Sequence, residues 1–308
     1  MRILVVGAGA IGGYFGGRLL EAGCDVTFLV RPRRAALLAE KGLRIASPAG
    51  DFHAAAPRTV TADAIAAPFD AIILSCKAYD LDSAVADIAP AVGPRTAIVP
   101  LLNGMKHLDV LDAHFGQERV LGGQCAIAST LLPDGTVRHM SPMHSLSFGE
   151  RAGGMSPRVE ALAAQMQSAK FDGRVSADVM LDMWEKWSFL SAIAAITSLM
   201  RAPIGDIVAG GGKDLILQLI DETFGIAARS AHPPRAEARA RAPAMLTQEG
   251  SLFSASMMRD IEAGNPVEAD HVIGDLIARA VPGSAPVLTT AYIHLKAYEA
   301  RRAREAAA

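Results

Sequence analysis

Only three cysteines, Cys24, Cys76 and Cys125, occur in the 308 residues, and none belongs to a CxxC pair. So sparse and odd a set excludes a disulfide framework and fits a reducing cytosol. Cys24 and Cys76 lie beside apolar runs and read as small core residues. Charge of one sign is also lacking. Thirty Lys and Arg against 32 Asp and Glu leave a net charge of -2, so neither nucleic acid nor an anionic membrane is an expected partner. The eight histidines are dispersed, with no HxxxH or HExxH spacing, and no metal site is expected. Long hydrophobic runs are missing too. Phe189 to Met200 is interrupted by Ser191, Thr197 and Ser198 and reads as a buried helix too short to span a bilayer. The first apolar run is broken by glycines where a secretory signal would continue.

What remains is an ordinary globular composition, 51% apolar and 20% charged, long enough for two domains. The first residues carry the clearest pattern. Met1 to Val6 is a short apolar run, followed by Gly7-Ala8-Gly9-Ala10-Ile11-Gly12-Gly13, a helical pattern from Tyr14 to Ala22 and a second apolar run from Val26 to Val30. Strand, glycine turn, helix and strand open a dinucleotide-binding unit. Gly7 permits the tight turn, Gly9 lets the backbone approach a pyrophosphate, and Gly12 lets the helix pack close. The helix N-terminus then offers N–H groups to the phosphates.

Further alternation follows. Helical Pro32 to Lys41 leads to two short strands, Leu43 to Ile45 and Phe52 to Ala55. The buried run Ala71 to Cys76, helical Leu81 to Ala89, the strand Thr96 to Leu101 and helical Met105 to Phe115 come next. This alternation predicts a Rossmann-type α/β fold with a doubly wound parallel sheet. Val120 to Thr130 and Thr136 to His139 flank the turn Pro133-Asp134-Gly135, with Ser145 to Phe148 after them, and predict that the sheet finishes antiparallel. Beyond residue 176 helical patterns take over: Asp178 to Met200, Leu215 to Ala231, Arg235 to Ala242, Ser256 to Ala263, Val267 to Val281 and Pro286 to Arg304. The expected division is a dinucleotide-binding domain at 1–174 and an all-helical substrate or dimerisation domain at 175–308. The cleft between two such domains is the expected place for a substrate. A homodimer is compatible with the apolar helical half.

The end of the second strand indicates which dinucleotide. NAD-binding units carry an acid there for the ribose 2′-hydroxyl, and NADP-binding units a basic residue. Here Phe28-Leu29-Val30-Arg31 is followed by Pro32-Arg33-Arg34, and no carboxylate falls between Asp25 and Glu40. Arg31 therefore predicts NADP(H), since a guanidinium grips phosphate with parallel hydrogen bonds. Four polar stretches interrupt apolar surroundings: Ser75-Cys76-Lys77-Ala78, Leu102-Asn103-Gly104-Met105, Met183-Trp184-Glu185-Lys186-Trp187, and Ser256 through Asp260 to Glu268. Each has a plainer reading: Asn103 and Ser256 as helix starts, Lys77 reaching into solvent, Glu268 opening a helix. Lys186 is the hardest to dismiss, because the apolar segment after it demands a partner or a role for its charge.

Together these blocks resemble the ketopantoate reductase (2-dehydropantoate 2-reductase) family over nearly the whole chain. The residues that carry the resemblance are GAGAIGG, Arg31, SCKAYD at 75–80, LLNGM at 101–105, WEKW around Lys186, and SMMRDIEAGNPVEAD at 256–270. The resemblance implies NADPH-dependent reduction of 2-dehydropantoate to pantoate, with Lys186 as proton donor to the ketone oxygen and Glu268 binding substrate and assisting the lysine. It places Gly7, Gly9, Ala10, Ile11, Gly12, Arg31, Lys77, Asn103 and Glu268 at the cofactor. Asn103, Lys186 and Ser256 fall at the substrate. One departure stands out. The family carries asparagines four and eight residues after the lysine, where this chain has Leu190 and Ala194, and Thr197 is the next polar residue near that face. Losing two pocket amides favours a more apolar 2-oxo acid as the alternative substrate. A non-catalytic NADP(H)-binding regulator is the rival of another class, and it would need neither Lys186 nor Glu268.

Overall fold

The structure, a computed structural model, describes residues 1–307 and divides into two compact units. The first comprises Met1–Leu102 and His107–Val179, the second Asn103–Lys106 and Met180–Ala308. No described helix is long and apolar enough to cross a membrane.

In the first unit β1 (Arg2–Val6), α1 (Ala10–Glu21), β2 (Asp25–Leu29) and α2 (Pro32–Lys41) follow one another as the glycine motif predicts. A hairpin of β3 (Leu43–Ala46) and β4 (Phe52–Ala54) precedes β5 (Thr59–Val60), β6 (Ala71–Leu74), α3 (Leu81–Ile88) and β7 (Ala97–Pro100). The parallel sheet has the order β5-β2-β1-β6-β7, that of a dinucleotide-binding fold. Its central strands are buried on both faces, with Ile3, Leu4, Val5, Ile72 and Ile73 fully covered. That burial is why they read as unbroken apolar runs.

The expected antiparallel finish is corrected. After α4 (Lys106–Phe115), strands β8 (Gly122–Leu131) and β9 (Val137–Gly149) form a long hairpin in a second sheet of order β10-β9-β3-β4, with β8 on β9. Among the described residues, an isolated bridge from Ile98 to Val120 joins this segment to the parallel sheet. The turn Pro133-Asp134-Gly135 specified a hairpin, and turn chemistry does not specify which sheet receives it. Helix α5 (Pro157–Met166) and strand β10 (Asp172–Val175) complete the unit; neither was anticipated. Cys24 and Cys76 are half-buried and only Cys125 is buried, which corrects the expectation of two core thiols.

Beneath the second sheet lies a buried polar cluster. Tyr14 of α1 shares a 2.6 Å hydrogen bond with His144, His144 stacks on His139 at 5.2 Å, and Arg18 lies over the Tyr14 ring. His139 Nε2 faces the Met143 carbonyl and must donate to it, so its Nδ1 accepts from the Ser47 hydroxyl. Burial pushes both imidazoles below the ordinary histidine value, and for His144 the charge neighbours His139 and Arg18 add to it. The unfolded chain takes up protons near pH 6.5 while the folded pair resists them, so stability falls as pH drops through that value. Melting temperature is expected to be level above about pH 7 and to decline below about pH 6.5, with a smaller slope in His144→Asn. A melting temperature unchanged between about pH 8 and pH 5 would contradict this account.

The second unit is helical: α6 (Val179–Met200), α7 (Ile204–Ala209), α8 (Lys213–Arg229), α9 (Ala236–Leu246), α10 (Ser256–Glu262), α11 (Asp275–Ala278) and α12 (Pro286–Ala306). Helix α6 is apolar on nearly every side, and Ser191 through Ser198 are all buried, as befits a central helix. Buried carboxylates nearby serve helix starts. Glu222 of α8 accepts from the Val287 and Leu288 amides of α12, and Glu185 of α6 accepts from the Arg235 amide ahead of α9, where helix N-termini favour negative charge. The single helix expected over Val267 to Val281 is corrected. Residues Asp270–Gly274 form a π turn that leads into the short α11. Such an interruption leaves a carbonyl off the regular ladder, and Val272 offers its carbonyl to another helix.

Candidate active site

In the first unit the candidate dinucleotide residues gather at the C-terminal edge of the parallel sheet. Gly7 takes φ +88, a left-handed conformation that suits glycine, and its amide donates to the Leu29 carbonyl at 2.9 Å. That bond fastens the turn to the end of β2. A Cβ on Gly12 would lie 2.2 Å from the Gly7 carbonyl oxygen and 2.3 Å from Ser75 Oγ. Gly12 therefore permits the close helix packing that its place in the motif predicts. Around Gly9 there is open space, and a Cβ there would meet nothing within 4 Å. An open backbone at the start of a 12-residue helix with no side-chain cap and no acid in its first turn fits a bound pyrophosphate. Ala10 and Ile11 form the first turn of that helix.

Two residues without an assigned role hold this loop. Ser75 donates from Oγ to the Val6 carbonyl at 2.7 Å, and Arg34 donates from Nε to the Ala8 carbonyl and from Nη2 to the Gly135 carbonyl, both at 3.1 Å. Ser75 belongs to the stretch SCKAYD and Arg34 to the basic cluster after β2. Their partners lie far away in sequence, which no local signal discloses. Arg31 precedes α2, and its side chain is 70% exposed. Lys77 leads into the turn Ala78–Asp80.

In the second unit three segments meet at the His271–Val272 turn. Gly104, beside Asn103, packs so tightly on it that a Cβ would sit 2.6 Å from the His271 carbonyl oxygen. Trp187 of α6, next to Lys186, donates from its indole to the Val272 carbonyl at 2.7 Å, and Ser191 donates to the same oxygen at 3.2 Å. Glu268 begins the turn, 8% exposed, and its carbonyl accepts from the Val272 amide. Asn103, Lys186 and Glu268 thus stand on segments fastened to one another, and Lys186 is half-buried. Asn103 does not cap α4, which starts three residues later at Lys106. His271 was not singled out in the sequence. It is buried at the centre of this junction, and burial holds its imidazole below the ordinary value against the opposing pull of Glu268 and Asp275.

Ser256 is fastened elsewhere. The Ala255 amide before it donates to Thr197 Oγ1, whose hydroxyl donates to the Ile193 carbonyl. Thr197 is thereby engaged within its own helix and with that loop. Eleven residues separate Thr197 from Lys186, a rise of about 16 Å along α6. Leu190 is half-exposed and Ala194 buried, and Phe189 stacks on Phe253 at 6.3 Å between centroids. The face that follows Lys186 is apolar.

Comparison with known proteins agrees with this layout. The family profile described as Ketopantoate reductase PanE/ApbA matches residues 3–153, and that of its C-terminal part matches residues 178–299. The chain is 38% identical over 305 residues to the uncharacterized oxidoreductase YkpB of Bacillus subtilis, covering 98% of this chain and 100% of that one. It is similar to the crystal structure of 2-dehydropantoate 2-reductase from Methylococcus capsulatus, with TM-score 0.87, 26% identity and 98% of each chain covered. A D-mandelate dehydrogenase solved with NADH and anilino(oxo)acetate shares the fold, with TM-score 0.85, 20% identity, and 98% of this chain and 99% of that one covered.

Proposed function

The chain belongs to the ketopantoate reductase family, oxidoreductases that act on CH–OH groups with a nicotinamide dinucleotide, and from that premise we propose that it reduces a 2-oxo acid to the 2-hydroxy acid with NADPH. The leading substrate is 2-dehydropantoate. The observation that carries this reading is the junction at His271–Val272, which fastens the segments of Asn103, Lys186 and Glu268 together. NADP(H) is favoured over NAD(H) by Arg31, exposed at the end of β2. Three scattered cysteines with no CxxC pair fit a reducing cytoplasm.

The dinucleotide, when bound, supplies hydride to the ketone carbon. Lys186 donates a proton from Nζ to the ketone oxygen as that hydride arrives and regains it from solvent, so the carbonyl gains two hydrogens and becomes an alcohol. In a half-buried setting the ammonium also stabilises negative charge growing on the oxygen. The Glu268 carboxylate assists the lysine and orients the substrate. Asn103 positions the reacting groups, and Ser256 holds the substrate carboxylate.

A second reading concerns the substrate side chain. With Leu190 and Ala194 after the lysine and Phe189 against Phe253, a hydroxyl-bearing substrate finds fewer partners, and an unpaired buried hydroxyl is costly. The aromatic 2-oxo compound bound by the D-mandelate dehydrogenase adds a reason to try aromatic acids. The deciding experiment is kcat/KM for ketopantoate, 4-methyl-2-oxopentanoate and phenylglyoxylate with NADPH. Ketopantoate leading the panel supports the first reading, and preference for the apolar acids by about tenfold or more supports the second. If none is reduced, the 2-oxo acid proposal fails.

A further inference from the structure

At the end of β2 the sequence shows no acid, yet the fold supplies one. Asp80, 49 residues further along, places Oδ1 2.6 Å from Arg31 Nη2. It arrives on the turn Ala78–Asp80 that follows β6, so the neighbour of β1 on the far side from β2 delivers it. Asp80 stands at the N-cap of α3, where an aspartate ordinarily accepts a backbone amide. Here the carboxylate makes no side-chain cap bond and turns to the guanidinium. Arg31 in turn is held by its backbone, whose carbonyl accepts the Arg34 and Ala35 amides. Arg34 is engaged with two carbonyls, and Arg31 is already matched by a carboxylate.

We infer that Asp80 sets the preference between the two nicotinamide dinucleotides. The inference rests on reading Arg31 as the residue that meets the 2′-phosphate. A phosphate of nearly two negative charges must compete with Asp80 for the guanidinium and tolerate a carboxylate beside it, and like charges at such range are unfavourable. A ribose 2′-hydroxyl faces no such opposition and donates a hydrogen bond to the same carboxylate, the role an acid plays in NAD-binding units. Arg31 and Asp80 together therefore make a corner that accepts both dinucleotides and narrows the margin by which NADPH is preferred.

Equilibrium binding of NADPH and NADH, and of the fragments 2′,5′-ADP and 5′-AMP, to the intact chain tests this without reference to turnover. Asp80→Asn is expected to tighten NADPH and 2′,5′-ADP about tenfold while NADH and 5′-AMP stay level or weaken. Asp80→Ser, whose short hydroxyl suits the N-cap of α3, should behave alike and guards against a folding defect in the first variant. Arg31→Ala should weaken NADPH selectively. If Arg31→Ala does so but both Asp80 variants leave the NADPH to NADH ratio at the wild-type value, the inference about Asp80 is overturned and the reading of Arg31 stands. If Arg31→Ala weakens both dinucleotides equally, the reading of Arg31 falls, and the inference with it.

Discussion

Replacement of Lys186 by alanine is expected to lower kcat about a hundred- to ten-thousandfold while NADPH binds as in the parent, because a positioned proton donor contributes on that scale. The fold should tolerate the change. Lys186 lies half-buried on a long helix, alanine favours helix, and the neighbouring anchor, Trp187 to the Val272 carbonyl, stays in place. Lys186→Arg separates two roles of the ammonium. A guanidinium keeps the charge that steadies the developing alkoxide, yet its very high pKa makes it a poor proton donor. Arginine should therefore recover part of the rate lost in the alanine variant and fall well short of lysine. Single-turnover oxidation of bound NADPH reads the chemical step directly. An alanine variant within a few-fold of the parent rate would remove Lys186 from the mechanism.

The second large effect separates the two roles that the motif gives Gly9 and Gly12. Gly9→Ala meets no atom within 4 Å, whereas Gly12→Ala drives its methyl to 2.2 Å from the Gly7 carbonyl oxygen. Gly12→Ala should lose about 1–3 kcal/mol of stability, as overpacked sites do, and lower the melting temperature by several degrees. Gly9→Ala should change stability by under about 1 kcal/mol, the range of an altered N-cap. Its methyl fills the space where a pyrophosphate comes against the backbone, so dinucleotide affinity should fall about tenfold or more. Thermal unfolding and NADPH titration of both variants check the pair. Equal destabilisation by the two substitutions, or unchanged NADPH affinity in Gly9→Ala, would refute the division of roles.

Much of the first unit was legible because its signals are local. The strand, glycine turn and helix of residues 1–21 need only short-range chemistry, and burial of a central strand on both faces writes itself as an apolar run such as Ala71 to Leu74. The helical character of the second half followed from its patterns. The π turn at Asp270–Gly274 was not legible, since the same residues satisfy an ordinary helix and the irregularity accompanies what α6 and the Asn103 loop press against it.

By itself the sequence determined the dinucleotide-binding element, the helical second half and the family resemblance. All of these rest on composition and short-range order. Tertiary structure decided the rest: a hairpin placed in a second sheet, Ser75 and Arg34 holding the glycine loop, His271 at the junction of three segments, and Asp80 upon Arg31. Their physical reason is common. Each is a contact between residues dozens of positions apart, formed only when neighbouring strands and helices bring their ends together. A carboxylate absent from the loop after β2 is present in space because the strand order of the sheet carries it there.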